Sequence, residues 1–185
     1  RKNVVILGST GSIGTSALKV ASDIPDRMKV IGLAANRSVE LMARQVEATG
    51  VRHAAVFDEK LVPDFRSAVP PETTIGAGMD GLVELATLPE ADMVLIAIVG
   101  VAGLQPALAA LEAGKDIAVA SKEILVMAGE IVMRTAEKNG CRVLPVDSEH
   151  NAIFQCLEGK PATDVQRLIL TASGGPFRKL PADQL

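Results

Sequence analysis

Short aliphatic runs recur along this chain with helix-compatible segments between them, and few folds accommodate that rhythm. The runs fall at Val4 to Leu7, Val30 to Leu33, Ala54 to Val56, Met93 to Ile98, Ile117 to Ala120 and Val143 to Val146. Between them, Ile13 to Ile24, Val39 to Thr49, Gly81 to Leu88, Leu104 to Ala113 and Ile124 to Asn139 read as helices. Such alternation is the pattern of βαβ units. Right-handed crossovers then give a parallel sheet covered on both faces. Hydrophobic residues make up 48% of the chain and aromatics only 2%. The core must therefore be built from Val, Ile, Leu and Ala, which suits parallel strands buried on both sides. The expected fold class is α/β, a doubly wound parallel sheet.

The stretch from Pro63 to Gly78 is rich in proline and glycine and is expected to hide a short helix and a weak strand. After Pro145 the pattern changes: the polar cluster Asp147-Ser148-Glu149-His150-Asn151 leads into a short helix, and Val165 to Thr171 reads as one more strand. The expected domains are 1–146, a nucleotide-binding domain of Rossmann type, and 147–185, the start of an α+β second domain. Cys141 and Cys156 lack the spacing of a redox or zinc motif and read as core thiols. The formal net charge of −3, without a basic run or aromatic platform, argues against a nucleic-acid partner. No run approaches the ~18 apolar residues of a membrane span, and no signal-peptide pattern is present, so the expectation is a soluble intracellular protein. A start at Arg1 and an end at Leu185 in a polar stretch lead us to expect part of a longer chain.

Gly8-Ser9-Thr10-Gly11-Ser12-Ile13-Gly14 follows the first aliphatic run directly and opens a helix. Glycines there let a pyrophosphate approach the backbone, and the helix offers it open N–H groups and the positive end of its dipole. Thr10 and Ser12 add hydroxyl donors. The alternative is a bare tight turn. An acid at the end of the second strand would bind a ribose 2′-hydroxyl and repel a 2′-phosphate. Here that stretch is Ala34-Ala35-Asn36-Arg37-Ser38, with no acid and with Arg37 able to pair with phosphate. The expected ligand is a nicotinamide dinucleotide, NADPH rather than NADH, unless Arg37 is only a solvated surface charge.

Ser121-Lys122-Glu123 lies at the carboxyl end of a core strand, the edge where open α/β sheets bind ligands. Lys122 suits a substrate hydroxyl or oxyanion, and Glu123 a cofactor ribose. A helix start capped by Ser121 fits equally well. Asp147 and Glu149 follow the next strand. If the chain is still extended there, both carboxylates turn to one side with Ser148 opposite, a pair suited to Mg²⁺ or Mn²⁺. A helix N-cap is the competing reading, and capping or outer-shell bonding is expected of His150 rather than ligation. The small-residue turn Thr171 to Phe177, with Ser173, suits a phosphate or sugar hydroxyl, or is a plain turn.

GSTGSIG at Gly8 to Gly14, AANRS at Ala34 to Ser38, ASKE at Ala120 to Glu123, PVDSEHNAIFQ at Pro145 to Gln155 and TASGGPF at Thr171 to Phe177 together resemble one family, 1-deoxy-D-xylulose 5-phosphate reductoisomerase. The resemblance spans the chain in order. It implies NADPH-dependent, Mg²⁺- or Mn²⁺-assisted rearrangement and reduction of a sugar phosphate to 2-C-methyl-D-erythritol 4-phosphate in non-mevalonate isoprenoid synthesis. It implies that Thr10, Gly11, Ser12 and Ile13 hold the pyrophosphate side of NADPH, and Ala35, Asn36 and Arg37 its 2′-phosphate. Ser121 and Glu123 line the same site. Lys122, Ser148, Glu149 and Ser173 contact substrate, and Asp147 and Glu149 bind metal.

Many members carry Gly-Lys-Asn after the second strand, where this chain reads Ala-Ala-Asn-Arg, and Ser121 stands where Asn is frequent. A third metal ligand has no counterpart here, so this chain alone is expected to bind NADPH with little turnover. Other expectations are a homodimer and a bacterial cytoplasmic setting, with a plastid as the other compartment. Two alternatives stand: a dehydrogenase of the semialdehyde or homoserine type, which would leave the acidic pair unexplained, and a non-catalytic NADPH-binding module.

Overall fold

The computed structural model describes residues 1–169, 180, 181 and 184. In chain order the elements are β1 (Lys2–Leu7), α1 (Ser12–Asp23), β2 (Met28–Ala35), α2 (Val39–Thr49), β3 (His53–Val56), α3 (Val62–Ala68), β4 (Thr74–Ala77), α4 (Gly78–Ala86), β5 (Met93–Ile96), α5 (Leu104–Glu112), β6 (Asp116–Val119), α6 (Lys122–Asn139), β7 (Val143–Pro145) and α7 (Ser148–Leu157). The strands form one sheet in the order β4-β3-β2-β1-β5-β6-β7. Every pairing from β4 across to β6 is parallel. The fold is thus the doubly wound α/β sheet that the alternation of aliphatic runs implies.

Strand composition explains the burial. Val5, Ile6 and Leu7 of β1, Val94 and Ile96 of β5 and Ile117 of β6 are fully enclosed. Aliphatic residues fill most of the core, joined by the buried Met42 and Phe65, and Leu82, Leu111, Ile124 and Val132 of the covering helices pack into it. The chain runs outward from β1 to β4, then returns beside β1 to form β5. That reversal is the topological switch point, and a crevice opens there beyond the carboxyl ends of the strands.

The 63–78 stretch contains α3 and β4. Pro63 sits in the first turn of α3, where its missing N–H costs nothing. The fifth strand ends at Ile96, two residues before the expected Ile98: beyond the last sheet bond, Ala97 N–H donates to the Leu7 carbonyl and the chain leaves the ladder. Within α6 the backbone breaks at Ala128, with φ −135° and ψ 23°, next to Gly129. A glycine at a helix bend is a usual cause of a kink.

Two expectations fail. Residues 165–169 carry no strand, and Leu168 and Ile169 are 60% and 68% exposed. A strand needs a neighbour's backbone to complete its hydrogen bonds, and none of the described residues supplies one; residues 170 and 171 lie outside the described residues. Cys156 is exposed rather than a core thiol, because α7 has no buried residue among those described. Cys141 is half-buried, its S–H directed at the Leu111 carbonyl.

The chain divides into two compact units, Arg1–Leu144 and Pro145–Leu185. No helix among the described residues is long and apolar enough to cross a membrane.

Candidate functional site

The glycine-rich turn joins β1 to α1 at the switch point. Gly8 has φ +93°, a region other residues avoid, and a Cβ there would meet the Ala97 carbonyl oxygen at 2.4 Å. At Gly14 a Cβ would lie 2.3 Å from the Gly8 carbonyl oxygen, so the helix can pack on its own turn only through glycine. Gly11 differs. It is the N-cap of α1 with φ −78° and ψ 172°, and a Cβ there would meet only the Gly8 oxygen, at 3.5 Å. The fold does not need glycine at that position. Gly11 supplies no side-chain cap, so the first-turn N–H groups of α1 stay open to an anion.

Two clefts of about 280 and 200 Å³ meet at Gly11 and at Ala97, Ile98 and Val99. The larger is lined by Gly8, Thr10, Ala34, Ala35, Asn36 and Phe57, among others. The smaller is lined by Ser12, Ile13, Ala120, Ser121 and Glu123. The structure therefore gathers Thr10, Gly11, Ser12, Ile13, Ala35, Asn36, Ser121 and Glu123 along one crevice at the carboxyl edge of the sheet. Arg37, next to Asn36, lines neither cleft; its side chain is exposed and paired with Asp58.

Sequence reasoning assigns no role here to Ala97, Ile98, Val99, Phe57, Ser9 or Asp58. The aliphatic run Met93 to Ile98 reads as strand, which hides Ala97 and Ile98, and Val99 follows it. Phe57 directly follows the aliphatic run of β3, a position that could have marked it as the aromatic wall of a nucleotide cleft. Ser9 faces inward: its hydroxyl donates to Gln45 Oε1 at 2.7 Å, and Gln45 Nε2 donates back to the Ser9 carbonyl at 2.9 Å, both residues being buried. Asp58 accepts from Arg37 Nε at 3.0 Å, an acid brought from the end of the third strand to a turn that has none of its own.

Ser121 holds the N-cap position of α6 but makes no capping bond. Its hydroxyl, with one proton to give, lies 3.1 Å from the Gly100 carbonyl and 2.8 Å from the Glu123 carboxylate. The Glu123 carboxyl is held below its ordinary value, first by its own backbone N–H and then by the Ser121 hydroxyl. Lys122 is exposed and makes no ion pair among the described residues.

In the second unit the extended placement of the acidic pair is corrected. The chain turns helical at Ser148, so Asp147 is the N-cap of α7 and Glu149 lies in its first turn. Capping wins because Asp147 satisfies two first-turn donors at once, Glu149 N–H at 3.1 Å and His150 N–H at 2.8 Å. Its other oxygen lies 2.9 Å from His150 Nδ1. Burial works against the Asp147 charge, but the hydrogen bonds from His150 outweigh it and the carboxyl falls below the usual carboxylate range. The described residues contain no group of three metal-ligating side chains. Ser173 lies outside the described residues.

A parallel sheet with a glycine-rich turn at the switch point, an open helix N-terminus and an arginine beyond the second strand is the arrangement of the Rossmann class. The family model of 1-deoxy-D-xylulose 5-phosphate reductoisomerase matches residues 4–129, and that of its C-terminal domain matches 143–185. This chain belongs to the 1-deoxy-D-xylulose 5-phosphate reductoisomerase family. It is 51% identical over 185 residues to the reductoisomerase of Geobacter metallireducens, covering 100% of this chain and 48% of that protein. Among solved structures, the Zymomonas mobilis reductoisomerase in complex with NADPH superposes with a TM-score of 0.90 at 43% identity, covering 99% of this chain and 48% of that one. A reductoisomerase in complex with NADPH, fosmidomycin and magnesium superposes with a TM-score of 0.81 at 39% identity, covering 88% of this chain and 40% of that one. The chain spans about half the length of the curated relatives it matches.

Proposed function

We propose that this chain carries the cofactor half, and the beginning of the catalytic half, of an enzyme that converts 1-deoxy-D-xylulose 5-phosphate to 2-C-methyl-D-erythritol 4-phosphate with NADPH. The observation that carries the reading is the crevice at the switch point. It runs past the uncapped N-terminus of α1 at Gly11, where the fold itself does not require glycine, to Asn36, the neighbour of Arg37 in sequence.

In this reading Thr10, Gly11, Ser12 and Ile13 receive the pyrophosphate at the N-terminus of α1. Ala35, with its side chain buried, offers backbone and shape, while Asn36 and Arg37 take the 2′-phosphate. Ser121 and Glu123 close the nicotinamide side. Lys122 places a cation beside the oxyanion that develops on the substrate. Ser148, Glu149 and Ser173 contact the sugar phosphate, and Asp147 with Glu149 would hold Mg²⁺ or Mn²⁺. Their donor set is hard oxygen, as such ions require, and Asp147 is held ionised by its partners. When bound, NADPH supplies hydride and the divalent ion polarises the sugar carbonyl. The two carboxylates leave a metal short of a third protein ligand among the described residues. A homodimer is proposed, and the bacterial source of the relatives supports a bacterial cytoplasmic setting.

Isothermal titration of the chain with NADPH and NADH, each with and without Mn²⁺, tests this together with Arg37→Ala. NADPH is expected to bind at least about tenfold more tightly than NADH, with that margin lost in the variant, as for a charge-assisted pair. Equal affinity for the two cofactors would overturn the NADPH assignment.

A further inference from the structure

Asp58 is tied down before it meets Arg37. The N–H of Phe57 donates to the Ala35 carbonyl at 2.9 Å and that of Asp58 to the Asn36 carbonyl at 3.3 Å, stitching the end of β3 to the turn after β2. One Asp58 oxygen accepts Lys60 N–H at 3.4 Å, capping the short 3-10 turn Glu59–Leu61. The other accepts Arg37 Nε at 3.0 Å. The carboxylate is 23% exposed and the arginine side chain 77%. A fixed acid thus grips a solvent-facing cation at the inner nitrogen of its guanidinium, and the outer nitrogens keep their four N–H donors.

We propose that Asp58 is a positioning residue that sets the preference for a 2′-phosphate by holding Arg37 in its binding pose. The inference rests on the NADPH reading given above and deepens it. An acid at the end of the second strand would itself take the ribose 2′-hydroxyl and favour NADH. Here the acid comes from the next strand and its charge is committed to the arginine. Exposed ion pairs contribute little to folding. Ordering a long side chain on binding, by contrast, costs affinity that a pre-formed pose saves.

The test is titration of the chain, Asp58→Asn and Arg37→Ala,Asp58→Asn with NADPH, NADH and 2′,5′-ADP, the last carrying the 2′-phosphate without the nicotinamide. Asp58→Asn keeps an oxygen for the Lys60 cap. It is expected to weaken NADPH and 2′,5′-ADP by about threefold to tenfold, to leave NADH within about twofold, and to have no further effect once Arg37 is alanine. Arg37→Lys, which keeps the charge but offers no inner nitrogen to grip, should lose about as much and serves where Asp58→Asn folds poorly. Equal weakening of NADPH and NADH would make Asp58 merely structural. Unchanged NADPH binding would mean that the pair does not set the arginine's pose, and tighter binding that the Asp58 charge competes with the phosphate. Any of these results overturns the proposal while leaving the NADPH reading intact, whereas a parent chain without NADPH preference overturns both.

Discussion

Gly11→Ala should separate folding from binding at the pyrophosphate turn. Position 11 has a backbone conformation that any residue adopts, and the added Cβ would sit in ordinary contact, 3.5 Å from the Gly8 oxygen. Removing glycine's freedom in the unfolded chain stabilises by about 0.4–1 kcal/mol. Alanine is a poorer N-cap than glycine, and that loss offsets the gain, leaving a net change within about 1 kcal/mol. The melting temperature should therefore stay within roughly 4 °C of the parent. Gly14→Ala puts a Cβ 2.3 Å from the Gly8 oxygen and 2.6 Å from Ser9 Cα, both main-chain atoms that can yield only if α1 moves. That overpacking costs about 1–3 kcal/mol. For binding the order reverses. A methyl at position 11 displaces the pyrophosphate from one or more charge-assisted N–H contacts worth about 1.5–3 kcal/mol each, an affinity loss of about tenfold to a hundredfold. Circular dichroism melting and NADPH titration on the two variants provide the comparison. Gly11→Ala that binds NADPH like the parent, or that melts as early as Gly14→Ala, would refute the reasoning.

Asp116 accepts the Arg142 backbone N–H and its guanidinium, the latter at 2.8 and 3.2 Å, and lies 3.7 Å from Lys2. Burial raises its carboxyl, but the Arg142 hydrogen bonds and the two cations outweigh burial and leave it below the ordinary value. Its stabilisation is thus complete above the unfolded value near 3.9 and disappears as pH falls through the lower folded value. Asp116→Asn is expected to cost about 1–3 kcal/mol at neutral pH, with the difference from the parent closing only at acid pH in parallel urea melts; a gap that persists at pH 2 would count against the ion pair. Phe57→Ala removes the aromatic wall of the larger cleft and should weaken NADPH and NADH alike by about tenfold, as for loss of one base–aromatic contact. A selective effect on NADPH alone would contradict that placement. Gln45→Leu strands the Ser9 hydroxyl and carbonyl in a buried position at a cost of about 2–4 kcal/mol, lowering the melting temperature by roughly 5–15 °C. An unchanged melt would show that the pair carries no stability.

The sheet was legible because buried parallel strands need continuous aliphatic runs, so Val4 to Leu7 and Ile117 to Val119 announce themselves without partners in view. The glycine turn was legible because strand, glycines and helix are adjacent in sequence. Residues whose role depends on a distant partner were not. Asp58 meets Arg37 from 21 positions away, and Gln45 reaches Ser9 from 36. Local sequence carries no trace of either pairing. Ala97 and Ile98 continue an apolar run, and nothing in their side chains says that the sheet ends at Ile96. The acidic pair was readable either as extended or as a cap, and only the count of donors near Asp147 decides. Val165 to Ile169 shows the opposite failure, an apolar pattern that finds no backbone to pair with among the described residues.

The buried exchange between Ser9 and Gln45 has a consequence in time. A glycine-rich loop that had to order around its ligand would limit how fast the ligand could be captured, and the observed rate would level off at high cofactor concentration. Here the turn is clamped to the second helix by two hydrogen bonds that no ligand supplies. Cofactor capture should proceed as a single encounter whose rate rises linearly with concentration, and release rather than loop closure should set how long the complex lasts.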